Sequence, residues 1–250
     1  MPTTLITGAS SGLGAEMARQ FAAHGNDLAL VARRVERLEG LRDEILAANP
    51  GLRVEIRSLD VTDDDAVFAV FHEFAEVFGS LDRIIVNAGM LKGAAIGTGK
   101  YYANRQTAMT NFVGALAQAE AAMEILRAQR RGQIVFISSI SAMRGFPRSM
   151  TTYAATKAGV ASLAEGLRSE MQADPDLDIT VTTIFPGYIR SEMNEYVKNA
   201  PFMVDTESGV RAIVAAIEKG SPSARVPAWP WAPVGTVIRH APLGIVRKLM

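Results

Sequence analysis

The sequence predicts an α/β fold in which a doubly wound parallel sheet of about seven strands carries helices on both faces. Apolar, β-branched runs such as residues 134–137 (Ile-Val-Phe-Ile) have the composition of strands that are buried on both sides. Helical stretches separate these runs, and a glycine-rich turn joins the first run to the first helix. This alternation is typical of parallel sheets, which bind their ligands at the C-terminal ends of the strands.

The composition favours a single domain over residues 1–250. The 26 basic and 26 acidic residues leave no net charge to attract nucleic acid or an anionic membrane. The chain has no cysteine, which excludes disulfides, and its three dispersed histidines give no metal-ligand spacing. No apolar run reaches about 18 residues and the N-terminus leads straight into a strand, so we expect a cytoplasmic protein without a membrane span or a signal peptide.

The first strand, residues 3–7, leads into Thr-Gly-Ala-Ser-Ser-Gly-Leu-Gly at 7–14 and a helix that stops at Gly25. A glycine-rich turn between a strand and a helix presents backbone amides and the positive end of the helix to a phosphate. An ordinary βα turn is the alternative. We predict that the turn binds a dinucleotide through Gly8, Ser10, Ser11, Gly12, Leu13 and Gly14.

The second strand, residues 27–32, ends in Arg33 and Arg34. NAD-binding folds place a carboxylate near this point to bind the ribose 2′-hydroxyl, whereas arginines suit the 2′-phosphate of NADP. We therefore predict that NADP(H) is preferred over NAD. Two solvated arginines at the start of a helix are the alternative, although cations there oppose the helix dipole.

Three side chains near the fifth strand have the chemistry of a proton-transfer site. Ser139 follows the strand at 134–137, while Tyr153 and Lys157 lie four residues apart and share one face of the next helix. At about 4 Å and an effective dielectric constant near 20, an ammonium favours the phenolate by about 4 kcal/mol. We therefore expect Lys157 to lower the pKa of Tyr153 toward neutrality. A pair of solvent-exposed helix side chains without a catalytic function is the alternative.

This Ser139 and Tyr153-x-x-x-Lys157 set resembles the short-chain dehydrogenase/reductase family, in particular its NADP-preferring classical members. The T-G-x-x-x-G-x-G turn, Asn-Ala-Gly at 87–89 and Pro-Gly-Tyr-Ile-Arg-Ser at 186–191 extend the resemblance over nearly the whole chain. In most members the serine lies one residue nearer the tyrosine. Ser138 and Ser141 therefore remain rivals of Ser139.

The resemblance implies a Rossmann-type fold and an enzyme that transfers hydride between a nicotinamide and a carbonyl or alcohol substrate, such as a ketone or 3-oxoacyl reductase or an alcohol dehydrogenase. It makes Tyr153 the general acid or base, with Lys157 lowering its pKa and binding the nicotinamide ribose. It makes Ser139 the group that polarises the carbonyl, and Asn111 part of a proton relay. Further cofactor contacts are implied for Asp60, Val61, Asn87, Ala88, Gly89, Pro186, Gly187, Ile189 and Ser191.

The substrate itself is not encoded in a motif. Segment 192–204 is predicted to be a lid, because loops of mixed polarity commonly cover substrates. Fatty-acyl, steroid-like, aromatic and small ketone substrates all fit the apolar pocket that we predict to be lined by Met90, Ser141, Tyr188, Met193, Tyr196 and Phe202. A catalytically silent NADP-sensing module and an epimerase or dehydratase are the alternative functions.

The tail, residues 227–250, is apolar and basic, and its prolines at 227, 230, 233 and 242 exclude one continuous helix. It could pack on its own domain, cover the active site, join a neighbouring subunit or lie peripherally on a membrane. The family resemblance implies a homodimer or homotetramer.

Overall fold

The computed structural model describes residues 1–196 and 200–249, and within them a seven-stranded sheet forms the centre of the molecule. The strands are β1 (Thr3–Thr7), β2 (Asp27–Ala32), β3 (Val54–Ser58), β4 (Arg83–Val86), β5 (Arg131–Ile137), β6 (Asp178–Pro186) and β7 (Ser223–Val226). Their order is β3-β2-β1-β4-β5-β6-β7 and every neighbouring pair is parallel. The predicted doubly wound sheet is confirmed, and the strand order reverses between β1 and β4, where such folds open a crevice for ligands.

Helices cover both faces of the sheet, as the alternation of the sequence predicted. They are α1 (Gly12–Ala23), α2 (Val35–Ala48), α3 (Asp64–Phe78), α4 (Tyr101–Ala108), α5 (Gly114–Gln129), α6 (Met150–Ala173), α7 (Thr206–Glu218), α8 (Ala228–His240) and α9 (Leu243–Leu249). One apolar core joins the sheet to α3, α5 and α6, and the other joins it to α1, α2 and α7. Along the described ranges, no helix combines the length and the apolar character needed to cross a bilayer.

A π-helical turn, Met109–Val113, lies between α4 and α5. Two contacts accompany this turn. The side chain of Asn111 binds the main chain of Met90, and a Cβ on Gly114 would lie only 2.5 Å from the carbonyl oxygen of Val61. π-turns are frequent at functional sites, and this one places Asn111 at the crevice.

The tail packs on its own chain. It forms α8 and α9 with a non-helical residue, Trp229, inside α8, so the prediction that its prolines exclude one continuous helix is confirmed. Trp231 and Ile238 are buried against Ile140, the residue after Ser139. The tail therefore lies beside the loop that follows β5. Met250 is outside the described residues.

Candidate active site

A cleft of about 180 Å³ opens at the C-terminal ends of β1, β4, β5 and β6. Most of the residues predicted for the cofactor and for catalysis line it together. They are Gly8, Ser11, Gly12, Leu13, Gly14, Asn87, Ala88, Gly89, Ser139, Tyr153, Lys157, Pro186, Gly187, Ile189 and Ser191.

The turn between β1 and α1 has the shape of a phosphate cradle. Gly8 and Gly12 have positive φ angles of 66° and 54°, which disfavour any residue with a side chain. A Cβ on Gly14 would lie 2.3 Å from the Gly8 carbonyl oxygen, and one on Gly8 would lie 2.9 Å from Cα of Ala88. The glycines thus let the turn, α1 and the end of β4 approach closely, and the N-terminus of α1 faces the cleft as an anion site.

Asn87 ties the end of β4 to this turn. Its side-chain amide donates to the carbonyl oxygen of Thr7 at 2.7 Å. The Thr7 hydroxyl in turn accepts the backbone N–H groups of Asn87 and Ala88, each at 3.0 Å. These bonds fix the floor of the crevice at the point where the strand order reverses.

A second cavity of about 150 Å³ lies on the other side of the glycine turn. It is lined by Gly8, Ser10, Ser11, Arg33, Arg34, Asp60, Val61, Ala88, Gly89, Met90 and Thr110, among others. The predicted adenosine contacts, Asp60 and Val61, therefore lie beside the predicted 2′-phosphate ligands.

Arg34 is the centre of a polar cluster at the rim of this cavity. Its Nε and Nη2 donate to the hydroxyls of Ser10 and Ser11 at 3.2 and 2.6 Å, and Nη1 donates to Glu192 at 3.1 Å. Arg37 also pairs with Glu192. Its hydrogen bond, with a further contribution from Arg34, lowers the pKa of the Glu192 carboxyl against the opposing effect of desolvation. A carboxylate thus occupies guanidinium groups that could bind a phosphate.

Tyr153 and Lys157 project from α6 into the cleft, with Nζ of Lys157 lying 5.9 Å from the centre of the phenol ring. The ammonium donates to the carbonyl oxygen of Ile137 at 2.8 Å. The Ser139 side chain lies against the phenol. Proton donor, ammonium and serine therefore share one end of the sheet.

The charge states differ from the sequence expectation that Lys157 lowers the pKa of Tyr153. Burial raises the pKa of Tyr153 to about 12, against an opposing contribution from Ser139, and the nearby Tyr196 adds to the rise. Burial also lowers the pKa of Lys157 to about 8. The ammonium is directed at the Ile137 carbonyl, and the low-dielectric surroundings favour the neutral form of both groups.

The three candidate serines have distinct environments. The Ser138 hydroxyl is buried and donates to the carbonyl oxygen of Lys157 at 2.7 Å, which supports α6 from below. The Ser141 hydroxyl, predicted to line the substrate pocket, is buried and has no partner within the described residues, and Ser141 is not among the residues that line the cleft. The Ser139 hydroxyl accepts the backbone N–H of Ser141 at 3.1 Å and faces Tyr153.

Asn111 joins the π-turn to the loop after β4. Its side chain accepts the N–H of Met90 at 2.8 Å and donates to the carbonyl oxygen of the same residue at 2.9 Å. A Cβ on Gly89 would lie 3.4 Å from Oδ1 of Asn111 and 3.5 Å from Nζ of Lys157. Asn111 and Lys157 therefore meet on either side of Gly89.

The residues predicted to line the substrate pocket fall into three groups. Met193 lines the catalytic cleft, and Tyr196 lies near Tyr153. Tyr188 and Phe202 line a separate apolar cavity under the tail. Met90 lies instead on the adenosine side.

Met90 lies on the adenosine side because Asn111 binds its backbone and the hydroxyl of Thr110 lies 3.4 Å from its sulfur.

The predicted lid, residues 192–204, begins with a 3₁₀ turn at Glu192–Asn194, and residues 197–199 lie outside the described residues. Its two ends are joined, because the N–H of Val204 donates to Tyr188 and that of Arg190 donates to Val204, both at 3.0 Å. Val204 therefore lies beside the residues that directly follow β6.

Four residues in or beside the two cavities were not predicted from the sequence as site residues: Thr110, Arg37, Glu192 and Trp231. Arg37 follows Arg34 by three residues on α2, so helical spacing could have revealed it. Glu192 and Trp231 meet their partners through contacts that are distant in the chain, and no local pattern marks them.

Comparison with known proteins identifies the family. Residues 2–201 match the model of the short chain dehydrogenase family. An uncharacterized oxidoreductase of Mycobacterium tuberculosis is 47% identical over 98% of this chain and 95% of its own length. A short-chain dehydrogenase from Sphingobium yanoikuyae, solved with NADPH, is 28% identical with a TM-score of 0.82 and covers 100% of this chain and 95% of its own.

A short-chain dehydrogenase from Burkholderia phymatum, solved with NAD, is similar in fold, with a TM-score of 0.81 and 21% identity over 93% of this chain and 91% of its own. With the family model spanning residues 2–201 and relatives of this similarity, this chain is an oxidoreductase that belongs to the short-chain dehydrogenase/reductase family.

Proposed function

We propose that this oxidoreductase transfers hydride between NADP(H) and a carbonyl or alcohol substrate, with Tyr153 as general acid in reduction and general base in oxidation. The observation that carries the proposal is the meeting of Tyr153, Ser139 and Lys157 in one cleft beside the glycine turn. A proton donor, a second hydroxyl and a cation are the groups that a carbonyl reduction requires.

The bound cofactor supplies the hydride that adds to the carbonyl carbon. Tyr153 donates its proton to the carbonyl oxygen, and Ser139 donates a hydrogen bond to the same oxygen and so orients the substrate. A pKa of about 12 keeps the phenol of the free enzyme protonated at neutral pH, so that it carries a proton to donate. Efficient transfer requires this pKa to move toward the operating pH, which is the task proposed for the ammonium of Lys157. The ammonium of Lys157, 5.9 Å from the ring, stabilises the phenolate left after the transfer and is the proposed ligand of the nicotinamide ribose.

Asn111 is proposed to continue the proton relay from Lys157 to solvent through its backbone carbonyl. The π-turn supports this role, because a widened turn departs from the i→i−4 hydrogen-bond pattern of the helix. The side chain of Asn111 also binds the neighbouring loop at Met90. The side chain then serves to position Gly89 and Met90.

The proposed preference for NADP(H) rests on the cluster around Arg34. Arg34 binds the hydroxyls of Ser10 and Ser11, and Arg33 lines the same cavity. Guanidinium and hydroxyl groups together are a donor set that matches a phosphate dianion. The solved relatives include both an NADPH complex and an NAD complex, so the proposed preference depends on these arginines.

The test is Tyr153→Phe, compared with wild type for NADPH consumption over a panel of ketones and for NADPH binding. Loss of a general acid lowers turnover by about 10²–10⁴-fold, while NADPH affinity should stay within about twofold. Tyr101→Phe, which removes the hydroxyl of an exposed tyrosine on α4, is the matched control. A Tyr153→Phe enzyme with near-normal turnover would disprove the role.

A further inference from the structure

An apolar cavity of about 580 Å³ lies beside the catalytic cleft, between the tail and the loops that follow β5 and β6. No charged side chain lines it in the part of the chain that the structure describes. Its walls include Ile140, Tyr188, Phe202, Trp229, Trp231 and Val237. The volume is in the range of pockets that enclose small organic ligands.

Two chain segments line the cleft with one residue and this cavity with the next. Ile140 directly follows Ser139, and Tyr188 directly follows Gly187, which lines the catalytic cleft. A Cβ on Gly187 would lie 2.1 Å from an indole carbon of Trp231, so the indole packs directly on the backbone of this glycine. Trp231 is therefore the part of the tail that lies next to the cleft.

The cavity has fixed walls. The Trp231 ring makes edge-to-face contacts with Tyr188 and Phe202, with ring centres 5.6 and 6.1 Å apart. A Cβ on Gly235 would lie 2.7 Å from Cδ1 of Ile140, which shows how closely α8 approaches the loop after Ser139.

Arg225 on β7 also holds α8 from outside the cavity. Its Nη1 donates to the carbonyl oxygen of Ala232 at 2.9 Å and to the hydroxyl of Thr236 at 2.8 Å. The wall formed by α8 is therefore anchored both to the sheet and to the loop after β5.

At the same time, large apolar side chains at the rim remain open to solvent. Phe202 is 57% exposed, Trp229 80% and Val237 52%. Exposed apolar surface that rims a cavity is typical of a ligand-binding site. An apolar ligand would cover this surface without having to break a polar contact.

We propose that this cavity binds the apolar substituent of the substrate, a long alkyl or alicyclic hydrocarbon group without charge, while the carbonyl lies at Ser139 and Tyr153. This inference rests on the proposed function. It makes the protein selective for bulky hydrophobic ketones or secondary alcohols and gives the tail a direct part in that selectivity.

Intrinsic tryptophan fluorescence can report ligand binding in this cavity. Its two tryptophans, Trp229 and Trp231, both line the cavity. Tryptophan fluorescence is followed while the full-length protein is titrated with methyl ketones from butanone to undecanone. We expect saturable changes for the longer ketones and affinities that rise about fourfold per added methylene, the increment for burying one such group.

A matched pair of variants locates the effect. Val237 and Ile245 both lie in the tail and are 52% and 51% exposed, but only Val237 lines the cavity. Val237→Asn should weaken undecanone binding at least tenfold and lower the ratio of kcat/KM for undecanone to kcat/KM for butanone. Ile245→Asn should change neither value.

Affinities that do not depend on chain length, or equal effects of the two variants, would overturn the subsite. The subsite would also be overturned if both variants lost binding to anionic phospholipid vesicles equally while each still bound ketones. That result would assign the exposed surface to a membrane. Chain-length-dependent binding without turnover of any ketone would retain the subsite and instead refute the catalytic role proposed for Tyr153.

Discussion

Tyr153 and Lys157 share one face of α6, yet their surroundings favour the neutral form of each. Burial raises the pKa of the phenol to about 12 and lowers that of the ammonium to about 8. The sequence spacing correctly places the two side chains together, but it does not reveal that the ammonium is bound to the carbonyl oxygen of Ile137. The proposed enzyme therefore enters a reduction with its proton donor protonated.

Lys157 should make cofactor binding depend on pH. Because its folded-state pKa is lowered to about 8, the side chain is charged below that pH and neutral above it. A charge-assisted hydrogen bond to the cofactor is about twice as strong as a neutral one, so we expect NADPH affinity to fall about fivefold between pH 7 and pH 9.5. Fluorescence titration of NADPH at several pH values measures this.

Lys157→Met supplies the comparison, because it removes the titrating group. This variant should bind NADPH weakly and with the same affinity across that pH range. A wild-type affinity that does not change with pH would show that the charge of Lys157 does not contribute.

Glu192 occupies guanidinium groups that a 2′-phosphate would use. Its carboxylate lies 3.1 Å from Nη1 of Arg34 and also pairs with Arg37. Each exposed ion pair is worth about 0–1 kcal/mol, so Glu192→Gln should strengthen NADPH binding by about threefold to tenfold. NADH affinity should not change, because NADH has no 2′-phosphate to compete with the carboxylate.

Glu195→Gln is the control for that experiment, since Glu195 lies in the same loop but forms no ion pair within the described residues. Titrations of both cofactors at low and high salt complete the measurement. Equal changes in NADH and NADPH affinity would contradict competition for the arginines.

Among the elements, the glycine turn and α1 form the most restrictive piece of the site. A Cβ on Gly14 would lie 2.3 Å from the Gly8 carbonyl oxygen, so Gly14→Ala must move the turn away from α1. Overpacking of this kind costs about 1–3 kcal/mol. We expect a lower urea midpoint and NADPH affinity weakened at least tenfold.

Gly40 provides the opposite case in α2. It is exposed, and a Cβ there would contact nothing within 4 Å. Gly40→Ala should therefore stabilise the protein by about 0.5–1 kcal/mol through helix propensity alone and leave NADPH affinity unchanged. If Gly14→Ala matched Gly40→Ala in both measurements, the close approach would not matter for the site.

β1, β2 and β5 could be predicted within a few residues because each has a short run of mostly buried residues, and burial on both faces of a parallel sheet favours an apolar composition. The π-turn could not be predicted from the sequence, because the contacts that accompany it link Asn111 to Met90 and Gly114 to Val61 across the fold. Side chains close in sequence, such as Tyr153 and Lys157, were found by their spacing.

Contacts such as that between Glu192 and Arg34, which are 158 residues apart, require the folded chain.

On the scale of the whole molecule, the proposed cofactor site draws on the ends of β1, β2, β4, β5 and β6 at once. The two cavities on either side of the glycine turn are lined by residues between Gly8 and Asn194 in the chain. Such a site exists only when the sheet is complete, so binding and folding are linked. A ligand that fits it should stabilise the entire fold.

NADPH should therefore raise the melting temperature more than NADH does. A ligand at 100 times its Kd stabilises the folded state by about 2.7 kcal/mol, which corresponds to about 5–10 °C for a chain of this size.

Arg34→Ala should remove most of the difference between the two cofactors and keep the NADH shift, because Arg34 binds Ser10 and Ser11 at the proposed 2′-phosphate site. Arg127→Ala, which breaks a surface ion pair with Glu170, is the control and should preserve the difference. Equal shifts with both cofactors in the wild-type protein would refute the NADP preference while leaving the short-chain dehydrogenase assignment intact.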